Sequence, residues 1–365
     1  MMNPYLLLTP GPVSTSKLVK QAMLSDWCAS DDNYHQEIVE VIRSKLVSLA
    51  TMGEGYTSVL MQGSDTASLE ACFGTLINKT DKLLIINNGA DGKRMVQIAQ
   101  SLKIAHTVIE SVETTFLDLA AISKRLQDDP QITHIAMVHC ETATGMLNPA
   151  QQVGNLAHEF GKVYFLDAMN TFGGIPFDLA DWYVDVMIST ASHCIQGVPG
   201  VGFVVCKQTL LEQSKGQARA LSLDLYEQWH TMHTLQGKWR FSSPTHVVRA
   251  FYQALIELER EGGIAARYTR YLVNQQGLVL GMKALGFEPL LPEELHSPIV
   301  TAFHCSQAPE YNFHDFYEAL KEQGFVIYPS TVTTADVVQI ANIGEVYLKD
   351  IADFLDAVER SCFWL

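Results

Sequence analysis

Three short stretches of this 365-residue chain carry side chains whose type and setting could do chemistry. His193 lies in Ser189-Thr190-Ala191-Ser192-His193-Cys194-Ile195-Gln196-Gly197-Val198-Pro199-Gly200, just past an apolar run. Its imidazole titrates near neutral pH and can serve as a base. It cannot form the stable imine that a primary amine makes with an aldehyde. Ser64-Asp65-Thr66 follows a strand-like run and opens a helical one. Hydroxyls at a helix N-terminus, where backbone N–H groups are free, suit a phosphate cradle. Ser and Thr also cap many helices, so the spacing leaves both readings open. Asp167 ends the apolar run Tyr164-Phe165-Leu166-Asp167-Ala168-Met169. A carboxylate at such a strand end needs a partner: a protonated ring nitrogen, or a structural contact within the chain.

These residues have to be positioned by a regular alternation of elements. Strands are predicted at 56–61, 82–86, 106–109, 134–139, 163–168, 184–190 and 202–206. They are short, mostly apolar on both faces and rich in Val and Ile, as buried strands are. Helical segments fall between them, at 65–76, 92–102, 117–127 and 149–160. The alternation predicts an α/β fold with a mainly parallel sheet flanked by helices. Ahead of it, Ile38, Ile42, Leu46 and Leu49 recur at helical spacing in one long helix. After it come long helices at 244–261 and 265–285, separated by Gly262-Gly263, then a strand-helix-strand-helix tail (299–304, 313–323, 337–342, 348–362). The expected division is a large domain over 15–250 and a smaller α/β C-terminal domain over 251–365, joined by 1–14.

With 40 acidic and 25 basic residues the net charge is −15, which argues against nucleic acid or an anionic membrane as partner. A locally positive pocket for small anions stays compatible with that balance. Seven cysteines, widely scattered and with no C-x-x-C pair, suit reduced thiols in a cytoplasmic protein better than disulfides or a zinc site. Residues 1–13 hold one short apolar run and no basic start, so no secretory leader is expected. Nothing approaches the ~18 apolar residues of a membrane span.

Several motifs converge on one family. They are Leu6-Leu7-Leu8-Thr9-Pro10-Gly11-Pro12, Met61-Gln62-Gly63-Ser64, His139-Cys140-Glu141-Thr142-Ala143-Thr144-Gly145 and Asp167-Ala168-Met169. To these add Cys194 to Gly200, Lys238-Trp239-Arg240-Phe241-Ser242-Ser243-Pro244-Thr245-His246, Tyr328-Pro329 and Asn342-Ile343-Gly344-Glu345-Val346. Together, from Tyr5 to about Trp364, the chain resembles the 2-aminoethylphosphonate:pyruvate aminotransferases, fold-type I pyridoxal-phosphate enzymes of phosphonate breakdown. The resemblance implies that Ser64 and Thr66 hold the cofactor phosphate and that Ser242 reaches it from a partner subunit. It implies Asp167 on the pyridine nitrogen, Thr142 beside the ring, a homodimer, and small anionic amino and keto substrates.

The departures from that pattern cluster on the chemistry. His193 stands at the position of the lysine that holds pyridoxal phosphate. Asp65 replaces a glycine of the phosphate loop, placing like charge near a phosphate. Asp91 replaces an aromatic residue, and Gln339 the arginine that grips the substrate acid group, whose charged two-pronged contact an amide cannot match. Ser330-Thr331 replaces Gly-Lys. Three readings follow: the family's own reaction, giving phosphonoacetaldehyde and alanine; a pyridoxamine-phosphate enzyme with His193 as base; and a non-catalytic paralogue or dimer partner that binds no cofactor. Lys93, which follows Asp91 at a loop-to-helix turn, and Lys207, which ends the strand after His193, are the candidate substitutes for the missing lysine.

Overall fold

The structure, a computed structural model, describes residues 5–329 and 335–364. Its elements run α1 (Glu40–Ala50), β1 (Tyr56–Gly63), α2 (Asp65–Leu76), β2 (Lys82–Asn87), α3 (Ala90–Ser101), β3 (Ala105–Glu110), α4 (Leu119–Asp128), β4 (His134–Val138), α5 (Ala150–Glu159), β5 (Val163–Asp167), β6 (Val186–Thr190) and β7 (Gly200–Lys207). There follow α6 (Leu225–Thr234), α7 (Thr245–Glu261), α8 (Gly263–Ala284), β8 (Val300–His304), α9 (Phe313–Glu322), β9 (Tyr328–Pro329), β10 (Val337–Ala341) and α10 (Leu348–Ser361). Shorter pieces are named by residue where needed.

The first seven strands form one sheet in the order β1-β7-β6-β5-β4-β2-β3. Pairings from β3 through to β6 are parallel. Strand β7 alone runs antiparallel to both its neighbours. Alternate residues feed two cores, as the period of two requires. Leu60, Leu84, Met137, Leu166, Met187 and Phe203 face α1, α5 and α7, whereas Val59, Leu83, Ala136, Phe165, Ile188 and Val204 face α2, α3 and α6. This is the doubly covered, mainly parallel sheet that the apolar runs predict.

A separate core joins α8, α9, α10 and the antiparallel sheet β8-β10-β9 around Phe303, Phe316, Ile340 and Phe354. Leu8 is fully buried in it, and Leu6–Leu7 pairs in parallel with Phe325–Val326. Leu6 to Leu8 therefore pack among the C-terminal elements.

Several details differ from expectation. The single helix predicted around residues 38–49 begins as a π-helical turn, His35–Val39, before α1. Helix α3 starts at Ala90 rather than Gly92, so Asp91 lies in its first turn. Only Gly262, in the left-handed conformation at φ 107°, separates α7 from α8, with Gly263 opening the second helix. Tyr183, at φ 53°, delays β6 to Val186. Helix α6 was not read from the sequence. All seven cysteines are free thiols, five of them buried. Among the described residues no helix is long and apolar enough to cross a membrane.

Candidate functional site

The sheet pairing explains why the chemically active stretches meet. Gly63 at the end of β1 is opposite Gly200 at the start of β7, so the loop after β6 is carried beside the N-terminus of α2. Thr190 is opposite Gly202, and Asp167 ends the adjacent strand β5. A cavity of about 240 Å³ opens at these strand ends. Its wall brings together six of the nine residues singled out in the sequence: Asp65, Asp91, Thr142, Asp167, His193 and Gln339. Ser64, Thr66 and Ser242 are not on that wall; Ser64 and Ser242 are exposed. Ser330-Thr331 lies outside the described residues.

The His193 loop is held by contacts that do not involve its imidazole. Gly197 N–H donates to Ala191 O (2.7 Å), and Gln196 N–H to His193 O (2.8 Å). Gln196 takes φ 66° and donates through Nε2 to the Tyr271 hydroxyl (2.7 Å) and Gly344 O (2.9 Å). Buried Arg267 of α8 donates to Cys194 O (2.7 Å) while paired with Glu261. These loop bonds therefore do not depend on the His193 side chain. His193 Nδ1 lies 3.3 Å from Ser192 Oγ, and Gly11 approaches the ring so closely that a Cβ there would sit 2.5 Å from Nε2. Burial lowers the imidazole pKa, opposed by the charges of Asp65 and Asp91.

Carboxylates of the chain take up the donors around the cavity. At α2 the Thr66 N–H donates to Asp65 Oδ1 (2.7 Å), the Ala67 N–H to Ser64 Oγ (3.2 Å) and the Ser68 N–H to Ser64 O (3.3 Å). Ser64 is thus the helix cap, the alternative left open in the sequence, and Asp65 sets a negative charge at the positive helix end. At α3 the Asp91 and Gly92 N–H groups donate to Glu141 (3.1 and 2.9 Å). Asp91 accepts from the Thr142 N–H (3.1 Å) and hydroxyl (2.6 Å) and pairs with Arg94 at 3.2 Å. The second side of the Thr142 hydroxyl receives Asn170 Nδ2 (2.7 Å). Gln339 is buried and donates to Thr142 O (3.0 Å) and Ala143 O (2.9 Å).

So much negative charge in a buried place must shift proton affinities. Burial first, then Asp91, pushes the Asp167 carboxyl up to about 8, although it accepts the Met169 N–H at 3.0 Å. Burial and Asp91 likewise raise Glu141 to about 7 against its two backbone N–H bonds. Neither substitute lysine faces the cavity. Lys93 pairs with Glu113 (3.1 Å), and Lys207 with Asp185 (2.7 Å) at the opposite end of β7 from Gly200. Glu141, Asn170, Arg94 and Gly11 were not singled out in the sequence. Glu141 and Gly11 lay inside quoted motifs, and Asn170 directly follows one, so an inventory of each polar group's required partner would have raised them.

Residues 30–328 match the model of the class-V aminotransferases. The chain is 59% identical over 364 residues to the 2-aminoethylphosphonate–pyruvate transaminase of Vibrio vulnificus (strain CMCP6), covering 100% of this chain and 99% of that relative. It is 55% identical over 360 residues to the transaminase of the same name from Salmonella enteritidis PT4, covering 99% and 98%. The chain belongs to the class-V aminotransferase family, among the 2-aminoethylphosphonate–pyruvate transaminases. The fold agrees. The crystal structure of pyridoxamine-pyruvate aminotransferase from Mesorhizobium loti superposes with a TM-score of 0.89 at 20% identity, covering 98% of this chain and 92% of that one.

Pyridoxal phosphate is the cofactor of this aminotransferase family, and the cavity can be tested against it. A covalent anchor requires a primary amine on the wall, and among the described residues lining it there is none: the basic side chains are His193 and Arg94. Asp167 could face a ring nitrogen, but its carboxyl already has raised proton affinity and carboxylate neighbours. The residues present do not fit a covalently held cofactor.

Proposed function

We propose that this chain keeps the fold of the 2-aminoethylphosphonate–pyruvate transaminases without their lysine-dependent amino transfer, and serves as a non-catalytic, dimer-forming member of the family. The observation that carries this reading is His193 in the loop after β6, in a cavity wall with no lysine among its described residues. An imidazole can move a proton but has no NH₂ group to condense with an aldehyde. Losing a well-placed acid–base lysine alone costs roughly 10²–10⁴ in rate.

Substrate binding would be impaired by the same wall. The Gln339 amide donates to two carbonyls and carries no charge, and Arg94 is paired with Asp91. An anionic substrate would meet the field of Asp65 and Asp91 with no unpaired Lys or Arg among the described residues of the wall to offset it. The homodimer and a cytoplasmic setting belong to the same proposal, supported by the family resemblance and by seven free thiols.

The test is to mix the purified chain with pyridoxal phosphate, reduce with borohydride, remove excess, and search for a pyridoxyl-lysine by mass spectrometry. Alanine formation from 2-aminoethylphosphonate and pyruvate is measured alongside. The expected result is no stoichiometric adduct and no alanine above the background of free cofactor. A stoichiometric adduct at one lysine with sustained turnover would overturn the proposal. His193→Lys alone is expected to form the adduct poorly and to stay far below the relatives' activity, because Asp65, Asp91 and Gln339 remain.

A further inference from the structure

The donors around the cavity share a property that reaches beyond the missing lysine. Anions bind proteins through free backbone N–H groups at helix starts, through hydroxyls and through guanidinium groups. Two helices, α2 and α3, begin beside this cavity, and Arg94 and Thr142 line it. The Thr66 N–H is taken by Asp65, the Asp91 and Gly92 N–H groups by Glu141, and the Thr142 N–H, the Thr142 hydroxyl and Arg94 by Asp91. Ser64 itself caps the next amide, that of Ala67. Each of these donors already holds a carboxylate of the chain or, at Ala67, the capping hydroxyl.

We infer that Asp65 is a specificity-determining residue that stands in for a phosphate at the start of α2, so that the cavity refuses phosphate monoesters, non-covalently held pyridoxamine phosphate among them. Asp65 does this twice over. Its Oδ1 takes the Thr66 N–H that a phosphate oxygen would need, and its charge repels a dianion at contact distance. The side chain cannot simply swing out without uncovering that N–H. Asp91, on the facing helix, adds a second negative charge and holds the Thr142 donors. This deepens the proposed function by removing the phosphate grip as well as the covalent anchor. It also separates the two remaining readings, since an enzyme using pyridoxamine phosphate with His193 as base needs that grip more than a covalent enzyme does.

The experiment compares pyridoxamine phosphate with pyridoxamine, which differ only in the phosphate, by isothermal titration calorimetry on the full-length chain. Inorganic phosphate is titrated as a third probe. For the unaltered protein the phosphate is expected to add nothing to affinity. Asp65→Gly is expected to strengthen pyridoxamine phosphate binding by roughly tenfold or more with little change for pyridoxamine. Asp65→Asn keeps an acceptor for the Thr66 N–H without the charge, should fold even if the glycine variant does not, and is expected to fall between them. If the unaltered chain binds pyridoxamine phosphate about tenfold tighter than pyridoxamine, the inference fails. It fails equally if both variants fold, as judged by their melting curves, and neither gains a preference for the phosphorylated form. None of these readings depends on adduct formation or turnover, so the inference and the proposed function can fail separately.

Discussion

Asp167 is where the acidity of this site can be measured. Its carboxyl is pushed up to about 8 by burial and by Asp91, from an ordinary value near 3.8. A carboxyl whose folded pKa is raised holds its proton in the native state and releases it on unfolding. Its relative stability is therefore intact below about pH 4 and is lost progressively as the pH climbs to about 8. Asp167→Asn keeps the acceptor for the Met169 N–H and removes the titration. Urea unfolding should show the variant more stable than the parent by about 1–3 kcal/mol at pH 9, with a smaller gain at pH 5. An equal or larger gain at pH 5 would mean that Asp167 is not the group held protonated. The same residue shows the limits of sequence reading. A strand-end aspartate in need of a partner was legible from Phe165-Leu166-Asp167. That its neighbours would be other carboxylates was not, because Asp91 and Asp65 are remote in sequence.

At the scale of elements, the strand ends and helix starts decide the site, and here the sequence was most informative. The inner strands were readable because both faces are apolar, edge strand β3 was read from Val108 and Ile109 although half exposed, and α2 was readable from its cap. The start of α3 was less so. Its N-terminal amides are satisfied by Glu141, some fifty residues away, a partnership that no local pattern encodes. Helix α6 escaped because its buried face mixes Gln228 with Leu225, Trp229 and Met232. The junction of α3 and Glu141 can be tested through Gly89, whose backbone is extended and tolerates any residue, yet whose added Cβ would run into the Glu141 carboxylate. Glu141 is fully buried and has no room to yield. Gly89→Ala should therefore cost about 2–4 kcal/mol, by overpacking and by uncovering the Asp91 and Gly92 N–H groups. In a background where Glu141 is already Ala, the cost should shrink to less than about 1 kcal/mol. Equal costs in both backgrounds would show that the carboxylate is not what the glycine accommodates.

For the molecule as a whole, the open question is how two chains of net charge −15 would come together. Like-charged chains associate only where charge is sparse and apolar area large. One region offers exposed apolar side chains together with arginines, the opposite sign to the net charge. Leu221 is 73% exposed and Phe241 53% exposed, and both contact Arg240: its Nη1 donates to Leu221 O at 2.7 Å, and its guanidinium lies 4.9 Å from the Phe241 ring centre. Ser242 follows directly, in the position from which the family resemblance has it reach the other subunit. On α7, which follows directly, Arg249 stacks on Trp27 at 4.3 Å and His246 meets Asp26. We predict that this face is buried between two copies of the chain. A glutamate at Leu221 or Phe241 would then be an unpaired charge in the contact and should weaken association by roughly a hundredfold. Sedimentation velocity should find the unaltered chain dimeric at micromolar concentration, and both variants folded but shifted to monomer. Added salt should tighten the unaltered dimer by screening the repulsion between acidic chains. Leu280, 75% exposed on α8 outside this region, supplies the control. If Leu280→Glu dissociates the dimer and Leu221→Glu does not, the contact lies on a different face, and Ser242 does not reach across it.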